Sequence, residues 1–273
     1  MDTPPRLTDR AALARNRSRA TAMFLQEAAA DDIDERLLEV NRTFTSPVIV
    51  TGFPDFWRAR MPQARIIPDD ETLDIEPGAH DLVIHALSLH WADDPVGQLV
   101  QCRRALTPDG LFLCTSFAGQ TLNELRSVLA EVESRARGGL SPRILPMADI
   151  RDLGGLLQRA GFALPVADIM PLKVTYSDAF KLMQDLRAMG EANAMAARDR
   201  KPRPRSFFIE TAATYAQAYG GPDERIPATF EIATLTGWSP DPSQPQPLRP
   251  GSATHRLSDA LGAVETPLKR SND

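Results

Sequence analysis

Residues 79–117, AHDLVIHALSLHWADDPVGQLVQCRRALTPDGLFLCTSF, decide the fold. Residues 82–87 form a short apolar run interrupted only by His85, too brief for a helix and patterned as a strand covered on both faces. Asp93 and Asp94 stand before Pro95, an acidic cap with proline in the first turn, and Val96, Leu99, Val100 and Leu106 then recur at helical spacing. Thr107-Pro-Asp-Gly is a turn with proline at its second position, and residues 111–117 supply another apolar strand. Strand, crossover helix and parallel strand make a βαβ unit, so the expected class is α/β with helices on both faces of the sheet.

Composition sets outer limits. The chain has 273 residues, 42% hydrophobic and 25% charged, with a net charge of -5. That balance suits one large globular domain with additions, and it disfavours nucleic acid, whose phosphates need a broad basic surface. Cys102 and Cys114 are far apart and outside zinc-ligand spacing, which reads as two buried thiols in a reducing compartment. His80, His85 and His90 stand five apart, alternating faces on a strand and diverging on a helix, so they make no metal site. No apolar run of about 18 residues is present and the start lacks a signal-peptide core, so a cytoplasmic protein is expected, at most peripheral to the inner membrane.

The wording of the central unit, DLV at 81–83, LHWADDP at 89–95 and LTPDGLF at 106–112, resembles the fourth and fifth strands of the class I S-adenosylmethionine (SAM) methyltransferases. Within that superfamily the chain is similar to the type 11, biotin-synthesis branch, which also holds the mitochondrial assembly factor of respiratory complex I. FAGQTLNELR (117–126), GGLSPRILPMADIRDLGGLLQRAGF (138–162), LMQDLRAMGEANA (182–194), IPATFEI (226–232) and SQPQPLRPGSA (243–253) extend the likeness from about Arg10 to Ala253. The resemblance implies a Rossmann-like sheet closing on a terminal antiparallel hairpin, with SAM as cofactor. It also implies either methyl transfer to an unknown acceptor or, as in the assembly factor, hydroxylation of an arginine in a complex I subunit without methylation. A nicotinamide enzyme, the third reading, is disfavoured by the lack of a G-x-G-x-x-G turn.

The cofactor half departs from the family. VIVTGFP at 48–54 lacks the acid and the glycine-rich turn, and Gly52 is the only glycine before Gly78. Between Val48 and Asp81 there is room for a strand at 48–50, a short helix near 56–60 and a strand at 65–67, about one βα unit fewer than the family requires. The resemblance assigns Gly52, Asp69, Asp70 and Leu87 to the cofactor side, with Asp69 aligned on the family's adenine contact; three acids in a loop also read as a solvated turn.

His90 and Trp91 lie just beyond the carboxyl end of the central strand, where open α/β sheets bind ligands. His90 is the candidate catalytic base, or a helix-start histidine with no role. Trp91, Glu191 and Asn193 are the candidate substrate or partner contacts, the latter two from an insertion of two helices at about 178–197 and 207–219. The joining loop, 198–205, is rich in cations and reads as a solvated linker or a docking site for an acidic partner or membrane surface. Residues 1–45 are expected to form a helical extension whose arginines (Arg6, Arg10, Arg15, Arg17, Arg19) either face solvent or cover the cofactor mouth. Residues 46–253 are the expected methyltransferase-like domain, the proline-rich 238–253 lying extended, and 254–273 a loose helix and flexible tail.

Overall fold

A computed structural model describes residues 6–245 and 257–262. Residues 1–240 make one compact unit and 241–273 a second. In chain order the first contains α1 (Arg10–Arg17), α2 (Phe24–Val40), β1 (Pro47–Thr51), α3 (Pro54–Arg60), β2 (Arg65–Ile67), β3 (His80–Ala86), a 3-10 turn (Leu89–Trp91), α4 (Pro95–Ala105) and β4 (Leu106–Phe117). It continues through α5 (Asn123–Arg137), α6 (Ile150–Ala160), β5 (Ala163–Tyr176), α7 (Ala179–Ala188), α8 (Arg205–Tyr219) and β6 (Ile226–Trp238). The second unit shows a turn in which Ser243 donates to Asp241, and α9 (Leu257–Leu261). The proline-rich reading of 246–253 and most of the expected tail lie outside the described residues.

The six strands run in the order β2-β1-β3-β4-β6-β5. The first four are parallel, while β6 is antiparallel to both β4 and β5. This is the expected Rossmann-like sheet with its closing hairpin, and only α3 and β2 separate β1 from β3, as the short spacing required. Alternation along the strands feeds opposite layers. Val48, Val50, Val83, Phe112 and Cys114 pack with Leu99, Leu153 and Leu157 of α4 and α6. Ile49, Leu82, Ile84, Leu111 and Leu113 pack with Ile33 and Trp57 of α2 and α3. Both cysteines are buried and free, and burial pushes the Cys102 thiol up to about 12, leaving it inert. Among the described residues no helix is long and apolar enough to cross a membrane, and no cluster of three metal-ligating groups occurs.

Three local expectations change. The sequence places the hairpin strands at 172–176 and 226–235, after a return at 162–166; they are instead 14 and 13 residues long, because that return runs on into β5 and β6 continues to Trp238. Thr121-Leu-Asn-Glu124 reads in the sequence as a capping box, but it is not used: Leu122 before α5 is left-handed (φ 55), Thr121 accepts from the Glu231 amide, and Glu124 accepts from Thr229. Those two side chains instead tie α5 to β6. The first inserted helix stops at Ala188 rather than near residue 197, because Gly190 turns the chain at φ 78 and residues 194–196 bridge to the N-terminal segment.

Candidate functional site

The chain leaves β1 towards β2 on one side and returns to β3 on the other, so a crevice opens outside the carboxyl ends of β1 and β3, the usual ligand position in such sheets. Leu87, just past β3, is buried and held at φ 41 with its amide on Thr115 Oγ1 at 3.0 Å. A bulky residue in that region costs roughly 1–2 kcal/mol.

Two cavities flank this point. The first, of about 630 Å³, is lined by Gly52, Phe53, Asp69 and Asp70 from the sheet side and by Arg10 and Arg17 of α1. Arg17 is only 7% exposed, and its Nη1 donates to both oxygens of Asp69 at 2.8 and 2.9 Å. Arg10 donates to the Asp69 carbonyl and stands 3.4 Å from its carboxylate. Burial pushes the Asp69 carboxyl up, but the two guanidinium groups outweigh it and hold the acid below its ordinary value. Neither arginine therefore belongs to a solvated face. The Arg17 guanidinium lies against Gly52, where a Cβ would stand 2.2 Å from Nη1, and 5.6 Å over the Phe53 ring. Its Nε and Nη2 are buried without an acceptor.

The second cavity, of about 240 Å³, is walled by Phe117, Leu125, Phe208 and Phe230 and bordered by His90, Trp91, Glu191 and Asn193. Trp91 Nε1 donates to Glu191 Oε2 at 2.9 Å, and His90 Nε2 lies 3.5 Å from the same oxygen. Burial pushes the Glu191 carboxyl up, yet His90, Arg17 and Trp91 together bring it below its ordinary value, so it is ionised. Glu191 Oε1 is buried without a donor. The Asn193 amide is engaged by the Pro142 carbonyl and the Met195 amide, which fixes the loop. The cavity's Arg143 is paired with Glu133 and lies 4.7 Å over Phe207.

The structure thus divides the sequence candidates: Gly52, Asp69 and Asp70 border one cavity, His90, Trp91, Glu191 and Asn193 the other, and Leu87 borders neither. Sequence reasoning missed Gln98, which is buried on α4 and joins His85 Nε2 to the carbonyls of Asp69 and Asp70. Burial lowers the His85 pKa, keeping it a neutral core histidine. A polar residue on the buried stripe of an amphipathic helix was the available signal. In the loop at 198–205, Arg198 and Arg200 pair with Asp9, and Arg203 with Glu133 and Asp199, so these cations bind the chain's own acids.

SAM can be tested against this first cavity. Its amino-acid part needs close backbone approach at a glycine turn, and its ribose hydroxyls need an acid. Here β1 ends without an acid, the face of Gly52 is covered by Arg17, and Asp69 is bound to two arginines. The residues do not fit SAM in this arrangement.

The family described as "Methyltransferase domain" matches residues 17–114. The mitochondrial arginine-hydroxylase NDUFAF5 of Danio rerio is 36% identical over 81% of this chain and 68% of its own length. The chain belongs to the NDUFAF5 family. Across its NDUFAF5 relatives the matched share runs from 47% to 68% of their length, so the chain spans two thirds or less of most of them. The malonyl-[acyl-carrier protein] O-methyltransferase of Laribacter hongkongensis is 34% identical over 67% of this chain and 58% of that enzyme. Phosphoethanolamine N-methyltransferase 2 of Haemonchus contortus, solved with S-adenosylhomocysteine, is 11% identical with a TM-score of 0.40, over 73% of this chain and 50% of that one. Both sets of relatives are thus similar to a chain in which only α3 and β2 separate β1 from β3.

Proposed function

We propose that this methyltransferase-family protein binds an arginine side chain of a partner protein in the 240 Å³ cavity, serving modification or assembly of a respiratory complex I subunit rather than SAM-dependent methyl transfer. One observation carries the reading: the ionised Glu191 carboxylate, with one oxygen lacking a donor, borders a cavity of aromatic and aliphatic walls. A guanidinium pairs with a carboxylate through parallel N–H bonds, its stem lies on apolar surface and its plane stacks on aromatic rings. Phe117, Phe208 and Phe230 supply such walls, and of the two arginines that also border the cavity, Arg143 and Arg187, the first is paired with Glu133. His90, with its Nε2 3.5 Å from the same carboxylate oxygen, also borders the cavity and helps to orient Glu191. The name of the NDUFAF5 relatives, arginine-hydroxylase, agrees with an arginine acceptor.

The rival reading, methyl transfer to another acceptor, is favoured by the match to the methyltransferase domain. Both are tested by fluorescence anisotropy with an arginine-containing peptide and its citrulline counterpart. The arginine peptide is expected to bind more tightly, and Glu191→Gln to weaken it about 10- to 100-fold, the worth of a charge-assisted hydrogen bond. Equal binding of the two peptides, or an unchanged Glu191→Gln variant, would reject the proposal.

A further inference from the structure

Two side chains of opposite charge, Arg187 and Glu191, border the 240 Å³ cavity without pairing with each other. Four positions apart, they would be neighbours on a continuous helix. The helix stops between them: the Gly190 amide donates to the Arg187 carbonyl and the Glu191 amide to the Leu186 carbonyl, a helix end closed by a left-handed glycine at φ 78. That turn carries Glu191 away to Trp91 and His90, and among the described residues the Arg187 side chain has no hydrogen bond or ion pair. Met183, one turn earlier on α7, is half-buried and lines the same cavity, whereas Arg187 is exposed, so this face of the helix runs from the cavity wall to its rim with the cation at the outer end. The cavity's other cation, Arg143, is paired with Glu133.

We propose that Arg187 selects which arginine the cavity accepts, favouring one flanked by an acidic residue in the partner chain. The inference rests on the reading of this cavity as an arginine site. A bound guanidinium brings a second cation to a cavity whose rim already holds one, and like charges disfavour the encounter. A carboxylate on a residue flanking the acceptor arginine replaces that repulsion with an ion pair to Arg187, whose planar fork matches a carboxylate in spacing and charge. The wrong partner, an arginine among neutral or basic neighbours, is thereby penalised without any change at Glu191. Because the rim is open to solvent, the effect has the size of an exposed ion pair and is screened by salt. Arg187 thus sets specificity and has no part in the chemistry at the bound group. A cation in the last turn of α7 also suits the helix dipole, but that role is indifferent to the sequence of a ligand.

The experiment is fluorescence anisotropy of the full chain with four peptides of one sequence, blocked at both ends, in which arginine or citrulline is flanked on both sides by aspartate or by asparagine. The natural protein is compared with Arg187→Gln. The natural protein is expected to bind Asp-Arg-Asp about two- to fivefold more tightly than Asn-Arg-Asn, a gap that narrows as salt is raised. The chain's net charge of -5 favours the more cationic peptide, so a preference for aspartate reports a local contact. In Arg187→Gln the aspartate peptide should weaken, the asparagine peptide strengthen as the repulsion is relieved, and the gap close. Equal binding of the two arginine peptides by the natural protein, or an unchanged gap in Arg187→Gln, overturns this proposal while a preference for arginine over citrulline leaves the cavity reading standing. Loss of the preference for arginine over citrulline overturns the cavity reading, and this proposal with it.

Discussion

Asp69 is the residue on which the cofactor half turns. Its carboxylate is 6% exposed and is held by Arg17 and Arg10, two guanidinium groups from a helix more than 50 residues earlier in the chain. Removing one partner of a buried ion pair leaves the other charged and desolvated, which costs about 3–5 kcal/mol. Asp69→Asn is therefore expected to lower stability by that amount, read as a fall in the urea midpoint at unchanged slope; a midpoint within error of the natural protein would show that the pair is solvated in solution. Asp69 was readable in sequence as a member of an acidic loop, and Arg17 as one of five early arginines. Their pairing was not, because charge pattern along a chain carries no information about contacts across 52 positions. Glu191 was readable from its family stretch, but its free oxygen is a property of the assembled walls.

The N-terminal segment behaves as part of the inserted region. Thr8 bridges Met195, the Asp9 amide donates to Ala194, Asn16 donates to Ala192, and the amides of Thr21 and Ala22 both donate to Ala188. Gly190 sits at the centre of this seam with φ 78, and a Cβ there would lie 3.1 Å from the Arg17 Cα and 3.4 Å from the Phe53 ring. Gly190→Ala is expected to cost roughly 1–2 kcal/mol from the left-handed backbone and to speed amide exchange at residues 21 and 22 more than in β3. Uniform acceleration throughout the sheet would contradict a local seam. Most elements were legible: β1 from its apolar run, β3 from a run broken only by His85, and α4 from Asp94 and Pro95 at its start. That only one short helix and one short strand fit between β1 and β3 was legible from the length available. The start of α5 misled because Thr121 and Glu124 have hydrogen-bond partners on β6, and a local motif gives way where tertiary partners compete for the same side chains.

At the scale of the whole molecule, acid stability should follow the cluster that joins α5 to two loops. Glu133, 2% exposed, accepts from Ser141, Arg143 and Arg203. Burial pushes its carboxyl up, but Arg143, Ser141 and the surrounding cations bring it from 4.5 down to about 2. A carboxyl depressed in the folded state contributes stability that is fully present above its unfolded pKa and is lost as pH falls through the folded one. The window is therefore about pH 5 to 2, and the contribution is about 3 kcal/mol at roughly 1.4 kcal/mol per unit. Urea unfolding at pH 6 and pH 3 should show a smaller pH-dependent loss in Glu133→Gln than in the natural protein; parallel losses would place the acid sensitivity elsewhere. The seam between residues 8 and 195 also has a consequence for how the chain is made on the ribosome. At about 5–20 residues per second, Met195 follows Thr8 by on the order of ten to forty seconds. Throughout that interval the segment leading into α1 lacks its bridge to Met195, so Arg10 and Arg17 have to find Asp69, made long before, without that anchor, and the seam is completed last.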